Sequence, residues 1–438
     1  MNREREMLTI AEVGQQLDVS VDTIRRWEKK GLIKSSRDRN NYRMFNLAEV
    51  KRLRDKINGT HSQKNNYRIL KSPDDSGFTA IDLFAGCGGT ALGMEYAGLR
   101  HVLLNEYDKN AVATLRRNRP LWNVNSEDVH KVDFSACAGK IDVIEGGFPC
   151  QAFSYAGKKM GFEDTRGTLF HEFARAVAEV RPKIAIGENV KGLLTHDDGR
   201  TLNIMVATLQ QLGYRVAYKV LRAQYLDVPQ KRERLVIMAV RNDIAAPILF
   251  PREHDYTISL REAIADVPTA PGQIYSQKKQ HIMSYVPEGG YWRHLPEVLQ
   301  KEYMKASYFM GGGKTGMARR LSWDEPSLTL TCNPAQKQTE RCHPAETRPL
   351  NVREYARIQT FPDDWVFEGS ISAQYKQIGN AVPVNLGYYM GRAAIHMLQG
   401  NATDDFEAVP ALATVNDIEL GRNVPPEPLP KLIPLFEV

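Results

Sequence analysis

Between residues 78 and 243, short apolar runs alternate with longer stretches of helical periodicity. The runs Ala80–Phe84, Val102–Leu104, Ile141–Ile144, Ile184–Gly187, Val216–Leu221 and Leu235–Val240 predict strands, and Leu169–Val180 and Leu202–Leu212 predict helices between them. Strands separated by helices make βαβ units, so a mostly parallel sheet of the α/β class is expected. From about 244 to 345 the regularity fails: prolines, glycines (Gly311-Gly312-Gly313) and scattered aromatics predict a separate, irregular domain. Periodicity returns at Val352–Gln359, and Leu386–Leu398 reads as a closing amphipathic helix. Residues 58–77 are polar and contain Pro73, which predicts a linker. The segment after 400 is rich in proline (Pro425-Pro426-Glu427-Pro428-Leu429-Pro430), which predicts an extended or disordered tail.

The N-terminal segment has its own pattern. Ile10, Val13 and Leu17 share one helix face, Asp18-Val19-Ser20 interrupts it, and Ser20 or Asp22 can cap a second helix. That helix would bury Val21, Ile24 and Trp27, present Thr23, Arg26 and Lys30 on the opposite face, and stop at Gly31. A polar, basic, hairpin-like stretch from Lys34 to Arg43 follows, then a third helix with Leu47, Val50, Leu53 and Ile57 inward. A cationic helix face of this kind suits a DNA major groove; a small helical module that binds protein has the same pattern. The stretch TIAEVGQQLDVSVDTIRRWEKKGLI resembles the MerR/excisionase-like winged helix-turn-helix family over roughly the first 57 residues.

Charge sharpens this division. The net charge of +6 is unevenly spread: residues 1–72 hold 17 Lys/Arg and 9 Asp/Glu (+8), residues 401–438 hold 2 and 7 (−5), and 73–400 carry the remaining +3. A basic N-terminal module points to nucleic acid. At 438 residues the chain is long enough for roughly two to four domains. It has no apolar run of the ~18 residues a membrane span needs. Its start, MNREREMLTIAEV, lacks the apolar stretch of a signal peptide, so a cytoplasmic, nucleoid-associated protein is expected. Five cysteines are too few for a disulfide scaffold, and the odd count directs attention to a single special thiol.

Four segments carry candidate chemistry. Asp82-Leu-Phe-Ala-Gly86-Cys-Gly88-Gly89-Thr90 follows a strand and opens a helix, and Glu106 ends the next strand, where a carboxylate can hold ribose hydroxyls. Any glycine-rich α/β turn can look like this, and the spacing is not that of a dinucleotide fingerprint. Gly146-Gly147-Phe148-Pro149-Cys150-Gln151 places Cys150 at the carboxyl end of a strand, where α/β active sites sit. Glu188-Asn189-Val190 and Gln230-Lys231-Arg232-Glu233-Arg234 flank neighbouring strands; taken singly, each reads equally well as an exposed loop.

Taken together and in this order, DLFAGCGG, GGFPCQAFS, DTRGTLF (164–170), ENV, QKRERL and QIGNAVP (377–383) resemble the bacterial cytosine-C5 DNA methyltransferases of type II restriction–modification systems. The resemblance covers about 78–400 apart from the irregular region. It implies a Rossmann-like S-adenosylmethionine-dependent methyltransferase sheet with an inserted target-recognition domain, beside an N-terminal winged helix-turn-helix taken as all-α. The domains would be 1–57, the linker 58–77, catalytic 78–243, recognition 244–345, a catalytic return segment 346–400 and an acidic tail 401–438.

The resemblance also implies roles. Cys150 would attack C6 of cytosine, Glu188 would hydrogen-bond N3 and the amino group, and Arg232 would contact O2. Arg234 would support structure or contact phosphate. Phe84 and Tyr107 would lie against the adenine of S-adenosylmethionine, Glu106 on its ribose, and Asp128-Val129 near its amino group. Ala85, Gly86, Gly88, Gly89 and Thr90 would line the methionine end, and Pro149, Leu169 and Asn380-Ala381 would complete the pocket. Glu127-Asp128 departs from the usual Gly-Asp. The target base must be flipped from the duplex, with Ser154 in the loop Gln151–Gly157 closing over it and Lys158-Lys159 suited to phosphates. Thr329-Leu330 match the Thr-Leu element of the recognition domain. Lys314, Arg319, Arg320, Gln336, Lys337 and Arg341 are candidates for base and phosphate contacts. Cys332, Cys342 and His343 form an incomplete zinc set, so no metal is expected. NPAQKQTERCHP loosely resembles enzymes acting on palindromes flanked by GG and CC.

The expected partner is double-stranded DNA, bound by a monomer whose head is a candidate for dimerisation. A cognate restriction endonuclease would be a functional partner without a stable complex. A DNA-binding transcriptional regulator and an RNA methyltransferase of the same fold are the competing readings.

Overall fold

The computed structural model describes residues 7–17, 19–29, 33–38, 41–47, 49–50, 53, 66–149, 168–312, 314–401 and 403–413. They form two compact units that divide between Asn66 and Tyr67.

In the smaller unit, α1 (Ile10–Leu17) and α2 (Val21–Lys29) are joined by a turn in which Ser20 Oγ accepts the Thr23 amide at 3.2 Å, so Ser20 is the cap. Ile24 packs with Val13 and Leu17, and Trp27 is half-buried against them; Val21, expected inside, is half-buried and outside this cluster. The unit is not all-α. Strands β1 (Met7–Thr9), β2 (Ser36–Arg37) and β3 (Arg43–Asn46) form an antiparallel sheet in the order β1-β3-β2. The reason is the alternation in Arg43-Met-Phe-Asn: Phe45 enters the core while Met44 and Asn46 on the opposite face are half-buried and exposed, and Arg43 at the strand's start pairs with Glu28 at 3.0 Å. Val50 is buried in the same core, with Leu47 and Leu53 against it; Lys30, Gly31 and Ile57 lie outside the described residues.

The larger unit is built on a seven-stranded sheet. Its strands are β4 (Thr79–Leu83), β5 (Arg100–Asn105), β6 (Val124–Asn125), β7 (Val143–Gly146), β8 (Ile184–Val190), β9 (Tyr214–Arg222) and β11 (Glu233–Arg241), preceded by the short β10 (Gln230–Lys231). The order is β6-β5-β4-β7-β8-β11-β9; β11 runs antiparallel to both neighbours and the remaining pairings are parallel. The near-continuous apolar runs are explained by burial on both faces. Ala80, Val143, Ile184 and Ile186 face α3 (Gly89–Ala97) and the return helix, while Ile81, Leu83, Ile144 and Ala185 face α5 (Leu169–Val180) and α6 (Arg200–Gln211). Helix α4 (Lys109–Asn118) is capped by Asp108 and covers the β5 edge through Val112 and Leu115.

The irregular region departs from its expected bounds. Its own core, which includes Tyr275, Met283, Trp292, Tyr303, Met317 and Cys342, holds α8 (Gln277–Ser284) and α9 (Glu297–Met304). Strand β12 (Ile248–Pro251) and α7 (Leu260–Ile264) instead pack into the cores of the sheet and the return segment, because Ile248, Leu249, Phe250, Leu260 and Ile264 are apolar and fully buried there. The chain rejoins that unit at β13 (Ser327–Leu328), which pairs with β10, and continues as α10 (Val352–Ile358), α11 (Ile371–Asn380) and α12 (Val384–Gln399). Two other boundaries move. Residues 67–77 are not loose linker: Tyr67 Oη donates to the Arg357 carbonyl at 2.9 Å, and the Leu70 amide donates to Asn385 Oδ1 at 2.9 Å. Nor is the start of the tail disordered, since β14 (Phe406–Val409) pairs antiparallel with β12.

The return helix α12 lies directly on α3. A Cβ on Gly93 would stand 2.2 Å from the Val384 carbonyl oxygen and 2.5 Å from the Tyr388 amide nitrogen. Backbone cannot retreat as a side chain can, so Gly93→Ala is expected to cost about 3 kcal/mol and lower the thermal midpoint of the larger unit by several degrees. Gly192, where no atom lies within 4 Å of such a Cβ, should accept alanine within about 0.5 kcal/mol; calorimetry of the two variants checks the pair.

Candidate active site

The carboxyl ends of β4, β5, β7 and β8 open into a cavity of about 710 Å³. The strand order changes direction between β4 and β7, the position where open α/β sheets bind ligands.

One end of the cavity is built by the loop after β4. Phe84, expected to close the strand, is instead left-handed (φ 61°), and the loop turns through Gly86 (φ 54°) into α3 at Gly88 (φ 90°). Glu106, just past β5, holds this loop: its Oε2 accepts the Gly86 amide and its Oε1 the Asp108 amide, both at 2.7 Å. Phe84, Ala85, Gly86, Gly89, Thr90, Glu106, Tyr107, Asp128, Val129 and Leu169 all line the cavity, as do Pro149, Asn380 and Ala381. Asp128 Oδ1 meets the His130 ring Nδ1 at 2.6 Å and accepts the His130 amide at 3.1 Å, and these hydrogen bonds hold its carboxyl below the usual range. Gly88 does not line the cavity. Its place in the sequence reflects the turn and close packing, since a Cβ there would stand 2.8 Å from Leu115 Cδ2.

The other end is charged and dry. Strand β8 continues past its expected end, so Glu188 and Asn189 are strand residues facing buried surroundings rather than loop residues. Glu188 is 8% exposed and pairs through Oε1 with Arg234 Nε at 2.7 Å. Burial raises the Glu188 carboxyl above its ordinary range, opposed by the charges of Arg234 and Arg232. Arg232 is 2% exposed; its Nη2 donates to the Gly379 carbonyl at 3.2 Å and its Nη1 to the Leu330 carbonyl at 3.4 Å. Its Nε has no partner among the described residues. Burial, with Arg234 beside it, pushes Arg232 down to about 9. Arg234 therefore stands inside the cavity on Glu188, not on an outer phosphate-facing surface.

The approach to Cys150 is fixed from behind. Asn189 Nδ2 donates to the Phe148 carbonyl at 2.8 Å, and the Phe148 ring packs on Phe170 and Phe173 with centroids 5.2 and 5.4 Å away. Pro149 is thereby held on the cavity wall. Cys150, Ser154 and the rest of 151–167 lie outside the described residues.

Several expected DNA contacts have structural duties instead. Leu330 is buried, and its amide donates to Gln230 Oε1 at 2.9 Å. Thr329 Oγ1 donates to the Lys231 carbonyl at 2.7 Å. Arg320 and Arg341 are 4% and 5% exposed and donate to backbone carbonyls. Lys314 Nζ is bound to the Ser307 and Met310 carbonyls. Arg319 lies over the Tyr291 ring, 6.0 Å from its centroid. Gln336 and Lys337 are exposed, and in the head Arg26 is exposed with Thr23 half-buried beside it. Among the described residues no group of three His, Cys, Asp or Glu side chains is placed to hold a metal ion. Glu145, which the sequence reading passed over, lines the cavity too; a lone charge within the apolar run Val143-Ile-Glu-Gly was the available signal.

Comparison with known proteins agrees with this geometry. Residues 78–396 match the model of the C-5 cytosine-specific DNA methylases, and residues 9–45 that of the MerR family regulatory proteins. The chain is 55% identical to the type II methyltransferase M.Eco47II of Escherichia coli, over 91% of this chain and 97% of that one. It is 57% identical to M.PspPI of Psychrobacter sp. (strain TA137), over 75% and 82%. In fold it is similar to a solved Spodoptera frugiperda DNMT2 variant, with a TM-score of 0.54 and 16% identity over 73% of this chain and 99% of that one. A glycine loop clamped by Glu106, a strand end reaching Pro149 and a buried Glu-Arg-Arg wall thus line one cavity, and the chain belongs to the C-5 cytosine-specific DNA methylase family.

Proposed function

We propose that the protein transfers a methyl group to C5 of one cytosine in a specific site of duplex DNA, through a transient covalent bond between Cys150 Sγ and C6, and so protects host DNA from a cognate restriction endonuclease. The observation that carries this reading is the dry wall of Glu188, Arg232 and Arg234 in the same cavity as Pro149, the residue before the thiol.

Cytosine C5 is a poor nucleophile. Addition of the Cys150 thiolate at C6 pushes electron density toward C5 and N3. A protonated Glu188 donates to N3 and absorbs that charge, and its other oxygen accepts from the exocyclic amino group. Arg232, with an unsatisfied Nε, supplies the donor for O2. Loss of the C5 proton to a base and departure of Sγ from C6 restore aromaticity and the free thiol. The base reaches this wall only when flipped out of the helix, at a cost of a few kcal/mol.

The family's methyl donor is S-adenosylmethionine, which when bound supplies the methyl group. The cavity suits it. Gly86 has open space where a side chain would begin, Tyr107 presents a 74% exposed ring, and Glu106 stands at the strand end where ribose hydroxyls are bound. Phe84 and Tyr107 would flank the adenine, Asp128 would meet its amino group, and Asn380 and Ala381 would close the methionine end.

The head supports a second role in binding an operator and regulating transcription, with Arg26 on its exposed helix face and a MerR match beneath it. Deleting residues 1–66, which spares the Tyr67 and Leu70 anchors, should leave methylation within about twofold and abolish binding to the protein's own promoter fragment. Loss of methylation would assign the head to the enzyme instead.

Cys150→Ser should abolish transfer while leaving DNA affinity intact, and Glu188→Gln should slow it by about 10²–10³-fold. Duplex DNA carrying 5-fluorocytosine should trap the wild-type protein covalently; a trapped adduct that persists in Cys150→Ser would refute the assignment. Labelled methyl groups should appear in duplex DNA and not in tRNA, and bisulfite sequencing of plasmid from expressing cells reads the target site.

A further inference from the structure

Asp82 in β4 and Glu145 in β7 are direct partners across a parallel strand pair, and each is 1% exposed. The partner of Glu145 on the next strand is Ile186, two residues before Glu188. Side chains alternate along a strand, so the three carboxyls share one face of the sheet, and Glu145 and Glu188 are diagonal neighbours. Both line the cavity.

Among the described residues, no amide, hydroxyl or cationic donor reaches Asp82 Oδ1, Asp82 Oδ2 or Glu145 Oε1. Two neighbouring carboxylates buried with no donor between them cannot both ionise, so one of the pair keeps a proton. A charge count agrees. Arg232 and Arg234 contribute two positive charges, three ionised carboxyls would contribute three negative ones, and a single proton makes the buried cluster neutral. The other ionisable groups nearby bring no positive charge that would let all three carboxyls ionise, and Glu106 adds to the negative side. Glu106 is held by two amides, Lys376 on α11 is paired with Asp108 at 3.2 Å, and the Cys87 thiol is driven up by burial.

We propose that Asp82 and Glu145 are positioning residues that store the proton Glu188 needs: the pair holds it while Glu188 is ion-paired with Arg234, and yields it when a base presents N3. This rests on the reading of Glu188 as the N3 donor. In the transfer the O–H bond of Glu145 breaks, an O–H bond forms on Glu188, and the negative charge moves from Glu188 to Glu145; the reverse step follows when N3 returns its proton. Burial supports this order. It pushes Asp82 up to about 7 and raises Glu145 well above the ordinary carboxyl range, with the charges of Asp82 and Glu188 adding to it, whereas both arginines oppose it at Glu188.

The test is single-turnover methylation of duplex DNA from about pH 5.5 to 8.5 by the full-length wild type, Glu145→Gln, Asp82→Asn and Glu188→Gln. Either loss of a store carboxyl leaves two carboxylates balanced by two guanidinium groups and no stored proton, so Glu188 must be protonated from water. The alkaline limb should then move to lower pH by about one unit, giving a roughly 10-fold loss near pH 8 and near-normal rates near pH 6. A rate profile parallel to wild type in both variants overturns the store, as does a raised KM for S-adenosylmethionine with an unshifted profile. If Glu145→Gln does not fold, Asp82→Asn alone decides by the same shift. Wild-type rates in Glu188→Gln would overturn the underlying reading instead, whatever the store variants do.

Discussion

Three carboxyls and two guanidinium groups lie out of water at the end of one sheet, and the surrounding fold is arranged so that this is tolerable. Each isolated ion would cost several kcal/mol to bury, and removing one partner from such a set leaves the other exposed to that full cost. The protein meets the cost with geometry. Arg232 is held by carbonyls from two separate segments, at Leu330 and Gly379. Gln230, which accepts the Leu330 amide, is itself fixed by Gln359 at 2.8 Å. The segments that supply these partners lie 98 to 147 residues from Arg232 in the chain. The charged wall therefore exists only when the return segment has closed on the sheet.

That closure explains the glycines of α3. Gly93 and Gly391 let α3 and α12 meet backbone to backbone, where a Cβ on Gly391 would stand 2.8 Å from that of Ala97. The contact carries Asn380 and Ala381 to the mouth of the loop after β4, so the two ends of the cavity are set by one helix–helix contact. Glu106 completes the arrangement from the opposite strand by holding both the glycine loop and the start of α4. Its short hydrogen bonds are to backbone amides, which keeps the carboxylate oriented toward the cavity.

The strands and most helices of the catalytic unit were legible in the sequence because each is buried on the faces that its periodicity implies. Leu169–Val180 is helical over the very span that its pattern predicts, capped by Thr168. Elements that lack a pattern were not legible. Val124–Asn125 is too short to show one, and Ser36–Arg37 is a polar edge that reads as loop until Phe45 beside it is placed in a core. Glu188 was legible as a residue of interest but misplaced at a strand end. Tertiary pairing with Arg234 on the antiparallel strand β11, opposite Val190, lets β8 run further than its apolar residues alone would.

The irregular region between β12 and α10 shows a second use for basic residues that a sequence presents as DNA-contact candidates. Regular helices and sheets satisfy their own carbonyls, and a segment with little of either must find donors elsewhere. Arg320 supplies them: its guanidinium donates to the carbonyls of Met283, Val286, His343 and Glu346, joining α8 to the chain that leaves the domain. Arg341 does the same for Thr329 and Glu340. Lys279 pairs at 2.7 Å with the buried Glu340, which also accepts from Tyr275. An arginine has five donors in a fixed fork and no acceptor, which suits clustered carbonyls as well as it suits a guanine edge. Composition cannot distinguish the two uses; burial does. By burial, Arg320 and Arg341 belong to the interior, whereas Gln336 and Lys337 are exposed in a loop that closes over the Thr331–Thr339 hydroxyl contact, with the Lys337 ammonium 5.0 Å over the Tyr303 ring.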